Sequence, residues 1–290
     1  MAATVFGQVT RRVGAIVAAL AVGIGTASAA TAAPPPEGAR YIALGDSYAA
    51  VGGLAPIAPG SAEDCGQTVN NYAHIVAEAK GYELTDVSCG GAKTKDMYER
   101  QKEWTPPQLD ALTADAELVT VMIGGNDSDV FGGTVENCIK ATFQLPIIDA
   151  PCTHRIGEAP ITTVREVTYP AVKQVLTSIR EKAPAARVLI VGYPWLVPAQ
   201  GECLPQMPVL ASDMPYFRRL QSELNGAAAR AAEETGAEFI DMSAASEGHD
   251  PCKPPGARMV EPILLTDHPV PLHPNAYGQQ AMASQILAHL

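Results

Sequence analysis

Residues 40–47 read RYIALGDS, a short apolar run that ends in Gly-Asp-Ser. Four similar runs follow along the chain, at YELTDVSC (82–89), ELVTVMIGG (117–125), ARVLIVGYP (186–194) and AEFIDM (237–242). Short runs rich in Val, Ile and Leu are typical of strands that are buried on both faces of a parallel sheet. These five stretches therefore predict a central parallel sheet of about five strands.

Helix-like segments separate the predicted strands. They are expected at residues 69–80, 107–113, 161–183, 215–235 and 275–290, and the fourth has clear amphipathic spacing. Alternation of strand and helix predicts an α/β fold, a three-layer α/β/α sandwich with right-handed crossovers. The Pro/Gly-rich stretches are expected to be surface loops, at 54–66, 144–160 and 194–214. We expect one domain over residues 34–290.

Composition and charge exclude several classes of partner. The 290 residues are 47% hydrophobic and 18% charged, which supplies enough apolar material for one large core. The formal net charge is −11, and an acidic surface repels phosphate backbones and anionic lipid headgroups. We therefore expect no nucleic-acid partner and no stable membrane insertion, and we expect a monomer.

The N-terminus has the features of a secretory signal peptide. Arg11 and Arg12 precede an apolar run at 13–24, and small residues follow it. The run is too short to cross a bilayer comfortably. We predict a signal peptide at residues 1–33, cleaved after Ala29 or Ala33, and an extracellular mature protein.

Export affects how the six cysteines are interpreted, because an even number in an oxidising compartment indicates disulfides. The sequence alone leaves the pairing open. The simplest pairing joins neighbours, since each bond then closes one local loop, and gives Cys65–Cys89, Cys138–Cys152 and Cys203–Cys252. A zinc site is disfavoured because there is no Cys-x-x-Cys pair and no clustered histidine. No metal is expected.

Three motifs follow predicted strands, at the sheet edge where open α/β sheets bind ligands. GDSYAA (45–50) places Ser47 at a strand-to-helix turn, where its hydroxyl could act as a nucleophile or merely cap the helix. In SCGGAKT (88–94) the N–H of Gly91 could donate to an oxyanion, and in MIGGNDSD (122–129) the side-chain amide of Asn126 could do the same. Each motif alone could also be an ordinary turn.

The stretch LTDHPVPLHPN (265–275) holds two candidate general bases. His273 directly precedes the last predicted helix, near the carboxyl edge of the sheet. His268 lies in the preceding loop and is interpreted as solvent-exposed or hydrogen-bonded to Asp267, because polar loop residues are usually solvated. His273 is therefore the favoured base.

These four motifs, in this order, resemble those of the SGNH hydrolases, also called the GDSL esterase/lipase family. The resemblance covers nearly all of residues 40–290 and is closer to the secreted actinomycete lipases and esterases with three disulfides. It implies a flavodoxin-like sheet, Ser47 as nucleophile, His273 as general base, and an oxyanion hole formed by the N–H groups of Ser47 and Gly91 and the side chain of Asn126. It also implies ester hydrolysis without a cofactor, and it supports the neighbour pairing of the cysteines.

The group that orients His273 is left open by the sequence. An aspartate three residues earlier is missing, because residue 270 is valine. A backbone carbonyl can fix the tautomer of a neutral imidazole, although it lacks the negative charge of a carboxylate. We favour the carbonyl of Val270 or Pro271, and Asp267 is the alternative.

Three functions are consistent with the sequence: an esterase or lipase acting on acyl or lipid esters, a carbohydrate O-acetyl esterase, and a non-catalytic lipid-binding or wall-binding protein. An enzyme is favoured because the four motif residues are all present, namely Ser47, Gly91, Asn126 and His273. Acyl substrates are favoured by apolar residues in the expected loops, namely Leu54, Ile57, Phe131, Phe143, Leu145 and Trp195, although these could also pack into the core.

Overall fold

Five parallel strands form the central sheet, in the order β2-β1-β3-β4-β5. Their bounds are β1 Arg40–Gly45, β2 Glu83–Asp86, β3 Leu118–Met122, β4 Arg187–Val191 and β5 Glu238–Ile240. All four neighbouring pairs are parallel, so the predicted fold class is confirmed. Each strand is shorter than its predicted run.

This computed structural model describes residues 1–4, 7, 33–53, 55–145 and 148–290. Most of the predicted signal peptide lies outside these residues and stays a prediction. Residues 33–290 form one compact unit. Within the described ranges, no helix has both the length and the hydropathy needed to cross a membrane.

Helices cover both faces of the sheet. The bounds are α1 Ser47–Ala50, α2 Tyr72–Lys80, α3 Gly132–Thr142, α4 Pro151–Ile156, α5 Ala159–Thr163, α6 Tyr169–Lys182, α7 Met214–Thr235, α8 Ser243–Ser246 and α9 Ala276–His289. The helix expected at 107–113 is a single 3₁₀ turn, Gln108–Ala111. The helix expected at 161–183 is divided into α5, a π-helical turn and α6. Pro170 lies in the first turn of α6 and has no N–H to continue the earlier hydrogen-bond pattern.

The prediction of a surface loop over 144–160 was wrong in part, because this stretch contains α4. The carboxylate of Asp213 accepts hydrogen bonds from the backbone N–H groups of Cys152 at 3.1 Å and Thr153 at 2.9 Å. It therefore satisfies the first turn of α4 from 60 residues away in the sequence. A tertiary cap of this kind leaves no local signal in the sequence.

Alternate strand residues pack on opposite faces of the sheet. On β1, Tyr41 and Ala43 pack into the core formed with α2 and α9, whereas Ile42 and Leu44 pack into the core formed with α6. Alternation is a property of any strand, and here both faces meet apolar helices. The result is the expected three-layer sandwich.

Three disulfides join neighbouring cysteines: Cys65–Cys89, Cys138–Cys152 and Cys203–Cys252. The second bond connects α3 to α4. The first connects the loop before α2 to the segment after β2. That segment is also held by the N–H of Cys89, which donates to the carbonyl of Gly45 at 3.0 Å.

The sheet has its switch point between β1 and β3. The chain passes from β1 to β2 on one side and then returns to add β3 on the other side, so a crevice opens at the carboxyl ends of these strands. Gly45 ends β1 with φ +147°, and a Cβ there would lie 2.6 Å from the carbonyl oxygen of Met122. Only glycine fits this close approach of the two strand ends.

Candidate active site

Ser47 is the first residue of a one-turn helix at the end of β1. The helix cap is Asp46, whose carboxylate accepts a 2.9 Å hydrogen bond from the N–H of Tyr48. The interpretation of Ser47 as the capping residue is therefore wrong. Its hydroxyl is directed instead to His273, with 2.7 Å between Oγ and Nε2.

His273 has the acceptor it needs on its other ring nitrogen. Its Nδ1 lies 2.8 Å from the carbonyl oxygen of Pro271. A hydrogen on Nδ1 leaves the lone pair of Nε2 free to face the Ser47 hydroxyl, so the neighbouring carbonyl selects the tautomer that can accept a proton.

Within the described residues, neither the Asp267 carboxylate nor the Val270 carbonyl is hydrogen-bonded to His273. The carboxylate of Asp267 lies 2.6 Å from Arg258 Nη2. The N–H of Val270 donates to Nδ1 of His268 at 3.2 Å. Of the acceptors considered from the sequence, the Pro271 carbonyl is the one within hydrogen-bond distance of His273.

The interpretation of His268 as an exposed loop residue was wrong. Its side chain is only 6% exposed, and it accepts from the backbone of Val270 rather than bonding to Asp267. Burial lowers the pKa of this imidazole. The charge of Glu261 opposes this shift. Glu261 also accepts a hydrogen bond from the N–H of Asp267 at 2.9 Å, which holds the residue before His268.

Glu261 also holds the backbone on both sides of the candidate base. Its N–H donates to the carbonyl of His273 at 3.0 Å, and its carbonyl accepts from the N–H of Leu272 at 3.0 Å. Burial opposes ionisation of Glu261, but hydrogen bonds from Arg258 and Asn275 lower its pKa to about 2. The carboxylate therefore stays charged and fixes the loop. No sequence motif indicated this residue.

Burial lowers the pKa of His273, and the hydrogen bond to Pro271 raises it in part. The net direction is downward from the ordinary histidine value of 6.5. At neutral pH the ring is therefore neutral, which is the form that can accept a proton from a serine hydroxyl.

Asn126 follows β3 and faces the same crevice. Its Nδ2 donates to the carbonyl of Ala92 at 3.0 Å, and the amide has a second hydrogen that remains available. The neighbouring Asp127 accepts from the N–H and the hydroxyl of Thr94, both at 2.8 Å. These bonds tie the loop after β3 to the segment that follows Gly91.

Gly91 lies directly before that segment. Its φ is +75°, in the left-handed region that favours glycine. It is exposed and is not among the residues that line the cavity beside Ser47. The structure therefore brings Ser47, Asn126 and His273 to one cavity, with Gly91 on the loop beside it.

Asp46 and Tyr193 form a buried pair beneath the nucleophile turn. The Tyr193 hydroxyl donates to the Asp46 carboxylate at 2.5 Å and accepts from the N–H of Gly125 at 3.0 Å. Burial raises the pKa of Asp46 to about 7, although the hydrogen bonds from the Tyr193 hydroxyl and the N–H of Tyr48 oppose the shift. Sequence reasoning missed Tyr193, and its position near the carboxyl end of the predicted strand at 186–194 was the available signal.

The cavity beside Ser47 has a volume of about 180 Å³. Its apolar wall comes from α3, α7 and the loops after β4 and before α9, with the side chains of Phe131, Val135, Leu196, Leu224 and Leu272. Of the apolar loop residues considered from the sequence, only Phe131 lines it. Ile57, Phe143 and Leu145 are exposed, Trp195 is buried in the fold, and Leu54 lies outside the described residues.

A sequence model of the GDSL-like lipase/acylhydrolase family matches residues 43–281. The protein belongs to this family. Lipase 2 of Streptomyces coelicolor is 43% identical to this GDSL-family chain. The alignment covers 94% of this chain and 93% of Lipase 2. The chain is accordingly a carboxylic ester hydrolase, and the hypothesis of a non-catalytic binding protein is no longer needed.

Two solved structures resemble this GDSL-family hydrolase across its domain. Phospholipase A1 from Streptomyces albidoflavus has a TM-score of 0.73, and an extracellular lipase from Streptomyces rimosus has a TM-score of 0.72. Each is 26% identical and covers 87% of this chain and 100% of its own. The family resemblance predicted from the motifs is thus confirmed.

Proposed function

We propose that this GDSL-family hydrolase is a secreted serine esterase or lipase that cleaves acyl or lipid esters through Ser47 and His273. The observation that carries this proposal is the 2.7 Å distance between Ser47 Oγ and His273 Nε2. A serine hydroxyl is a poor nucleophile at neutral pH until a neighbouring base removes its proton. A neutral imidazole at hydrogen-bond distance supplies that base.

The reaction proceeds in two halves. Ser47 Oγ attacks the ester carbonyl while its proton passes to His273 Nε2, and the tetrahedral oxyanion collapses as the proton is delivered to the leaving alcohol. Water then attacks the acyl-enzyme, with His273 accepting its proton and returning it to Ser47 Oγ as the acid departs. The N–H groups of Ser47 and Gly91 and the amide of Asn126 are the proposed oxyanion donors.

The shape and chemistry of the cavity support acyl substrates over carbohydrate acetates. The wall formed by Phe131, Val135 and Leu272 suits an aliphatic chain, because burying each methylene contributes about 0.8 kcal/mol. The name of one structural relative, phospholipase A1, adds phospholipids to the esters that should be assayed.

The substitution Ser47→Ala tests the mechanism. Hydrolysis of p-nitrophenyl butyrate should fall by at least ~10⁴, as expected when the nucleophile of such a pair is removed. Ser61→Ala is a matched control, because the Ser61 hydroxyl donates to the adjacent carbonyl of Ala62 and Ser61 is not among the residues that line the cavity beside Ser47. Unchanged hydrolysis by Ser47→Ala would rule the mechanism out.

Secretion is part of the same proposal. The basic, apolar and small-residue pattern of residues 1–33 and the three disulfides support it. N-terminal sequencing of protein from the culture medium should begin after Ala29 or Ala33. Protein that retains Met1 would contradict the proposed signal peptide, and light scattering on the same sample tests the expected monomer.

A further inference from the structure

Tyr48, the residue after the proposed nucleophile, contacts the loop that carries the base in two ways. Its hydroxyl donates a hydrogen bond to the carbonyl of Leu272. Its ring centroid lies 5.2 Å from that of His273, with the two planes tilted by 37°. The side chain is buried. One residue on the nucleophile helix therefore touches both the ring and the backbone of the base's loop.

Leu272 has an unusual backbone for a leucine. Its φ is +58°, in the left-handed region, where a residue with a Cβ is strained and persists only when surrounding contacts hold it. Two contacts do so here. The N–H of Leu272 donates to the carbonyl of Glu261 at 3.0 Å, and the carbonyl of Leu272 accepts from Tyr48.

These two contacts fix the two peptide groups on either side of Leu272. The first peptide contains the carbonyl of Pro271, which accepts from the base. The second contains the backbone N of His273. The 2.8 Å hydrogen bond between Pro271 and His273 therefore spans a strained residue, and its geometry depends on both peptides remaining in place.

Tyr48 is itself held firmly against the nucleophile turn. Its N–H donates to Asp46 at 2.9 Å, and its carbonyl accepts from Nε2 of Gln279 at 2.8 Å. Its ring packs edge to face on Tyr193, with 5.2 Å between centroids. The hydroxyl of Tyr48 is thus a rigid donor whose position is set by the element that carries Ser47.

We propose that Tyr48 is a positioning residue, which fixes the Leu272–His273 peptide so that the Pro271 carbonyl stays aligned with the imidazole and the imidazole with Ser47. This inference rests on the proposed Ser47–His273 mechanism. In a site without a carboxylate partner for the histidine, the hydroxyl of Tyr48 contributes by placement and makes no contact with the reacting atoms.

Tyr48→Phe removes the hydroxyl and keeps the ring in its packed position, so the variant is expected to fold. The matched control is Tyr82→Phe. Tyr82 also donates from its hydroxyl to a backbone carbonyl, that of Pro35 at 3.1 Å, but it precedes β2 at the amino end of the sheet. Steady-state kinetics on p-nitrophenyl butyrate, the pH profile of kcat/KM and the melting temperature are measured for both variants and for wild type.

The expected result for Tyr48→Phe is a fall in kcat of between about 10-fold and 100-fold with KM nearly unchanged, because misplacing a catalytic group by ~1 Å costs on the order of 10² in rate. The acid limb of the profile should move to lower pH, since a poorly aligned carbonyl stabilises the imidazolium less. Tyr82→Phe should match wild type in kcat and in the position of the acid limb.

Two results would overturn the proposal. One is a kcat for Tyr48→Phe equal to that of wild type. The other is a lowered kcat with an unmoved acid limb, because a purely structural defect reduces the amount of active enzyme without changing the proton affinity of the base. Failure of the proposed mechanism gives a different pattern, in which Ser47→Ala retains full activity.

Discussion

The carbonyl oxygen of Pro271 lies 2.8 Å from Nδ1 of His273. A carbonyl selects the imidazole tautomer as well as a carboxylate does, but it brings no negative charge to stabilise the protonated ring. Burial then dominates, and it lowers the pKa of His273. The pH dependence of catalysis should report this difference.

We expect kcat/KM to rise with pH and to reach half of its plateau below pH 6.5, the ordinary value for histidine. The midpoint lies below 6.5 because the base is active only when neutral, and its lowered pKa makes it neutral at a lower pH. Rates on p-nitrophenyl butyrate from pH 4 to 9 provide the measurement. A midpoint above 6.5 would indicate a charged partner for the base.

Asp46 should make the protein less stable as the pH rises. Burial raises its pKa from 3.8 to about 7 in the folded state, so the folded protein holds this proton more tightly than the unfolded chain. The associated stability is fully present below about pH 4 and is lost as the pH rises through 7.

The variant Asp46→Asn cannot ionise and isolates this effect. The free energy of unfolding of Asp46→Asn minus that of wild type should increase between pH 5 and pH 8, as measured by urea denaturation, because only wild type loses stability over this range. The control is Asp115→Asn. The side chain of Asp115 is exposed, and the pKa of its carboxyl is lowered rather than raised. A difference between Asp46→Asn and wild type that does not vary with pH would refute the raised pKa.

Removal of the Asn126 amide should slow the chemical step. Asn126→Ala is expected to lower kcat by ~10²–10³ with a small effect on KM, because an oxyanion donor acts mainly in the transition state. Asn137→Ala is the control. Asn137 is exposed on α3 and donates to the carbonyl of Gly133 within the same helix. Equal kcat values for Asn126→Ala and wild type would exclude this donor from the oxyanion hole.

Val135 should limit the length of the acyl chain. It lies in the wall of the cavity beside Ser47 and also lines a small apolar space of about 10 Å³, with Phe131 and Leu272. Val135→Phe should lower kcat/KM for octanoyl esters at least about 10-fold and leave acetyl esters within about threefold, because each methylene excluded from an apolar pocket costs ~1–3 kcal/mol.

The comparison for this test is Val167→Phe, at a half-exposed position in the π-helical turn before α6. A parallel loss on acetyl and octanoyl esters with Val135→Phe would show that this wall does not bind the acyl chain.

Several features of the site could be predicted from the sequence because their signals are local. The apolar runs marked each strand. Ser47 ends the first run, Gly91 lies two residues after the second, and Asn126 directly follows the third. Since the carboxyl ends of parallel strands meet at one edge, their proximity followed from the topology. His273 was reached through its motif and its position before α9.

The contacts that were missed join residues far apart in the chain. Tyr48 and Leu272 are 224 residues apart, and Tyr193 and Asp46 are 147 apart. Nothing near either residue indicates such a partner. The burial of His268 was missed because polar loop residues are usually solvated, whereas this loop is hydrogen-bonded to Glu261, whose ion pair with Arg258 is buried.

The most direct test of the carbonyl-oriented histidine is the turnover of Asp267→Asn. The Asp267 side chain is 60% exposed and pairs with Arg258 at 2.6 Å. Because Arg258 keeps Glu261 as a partner, kcat on p-nitrophenyl butyrate should stay within about threefold of wild type, as expected when an exposed ion pair is lost. A fall of ~10⁴, the scale of losing a triad aspartate, would contradict the account and assign the orienting role to Asp267.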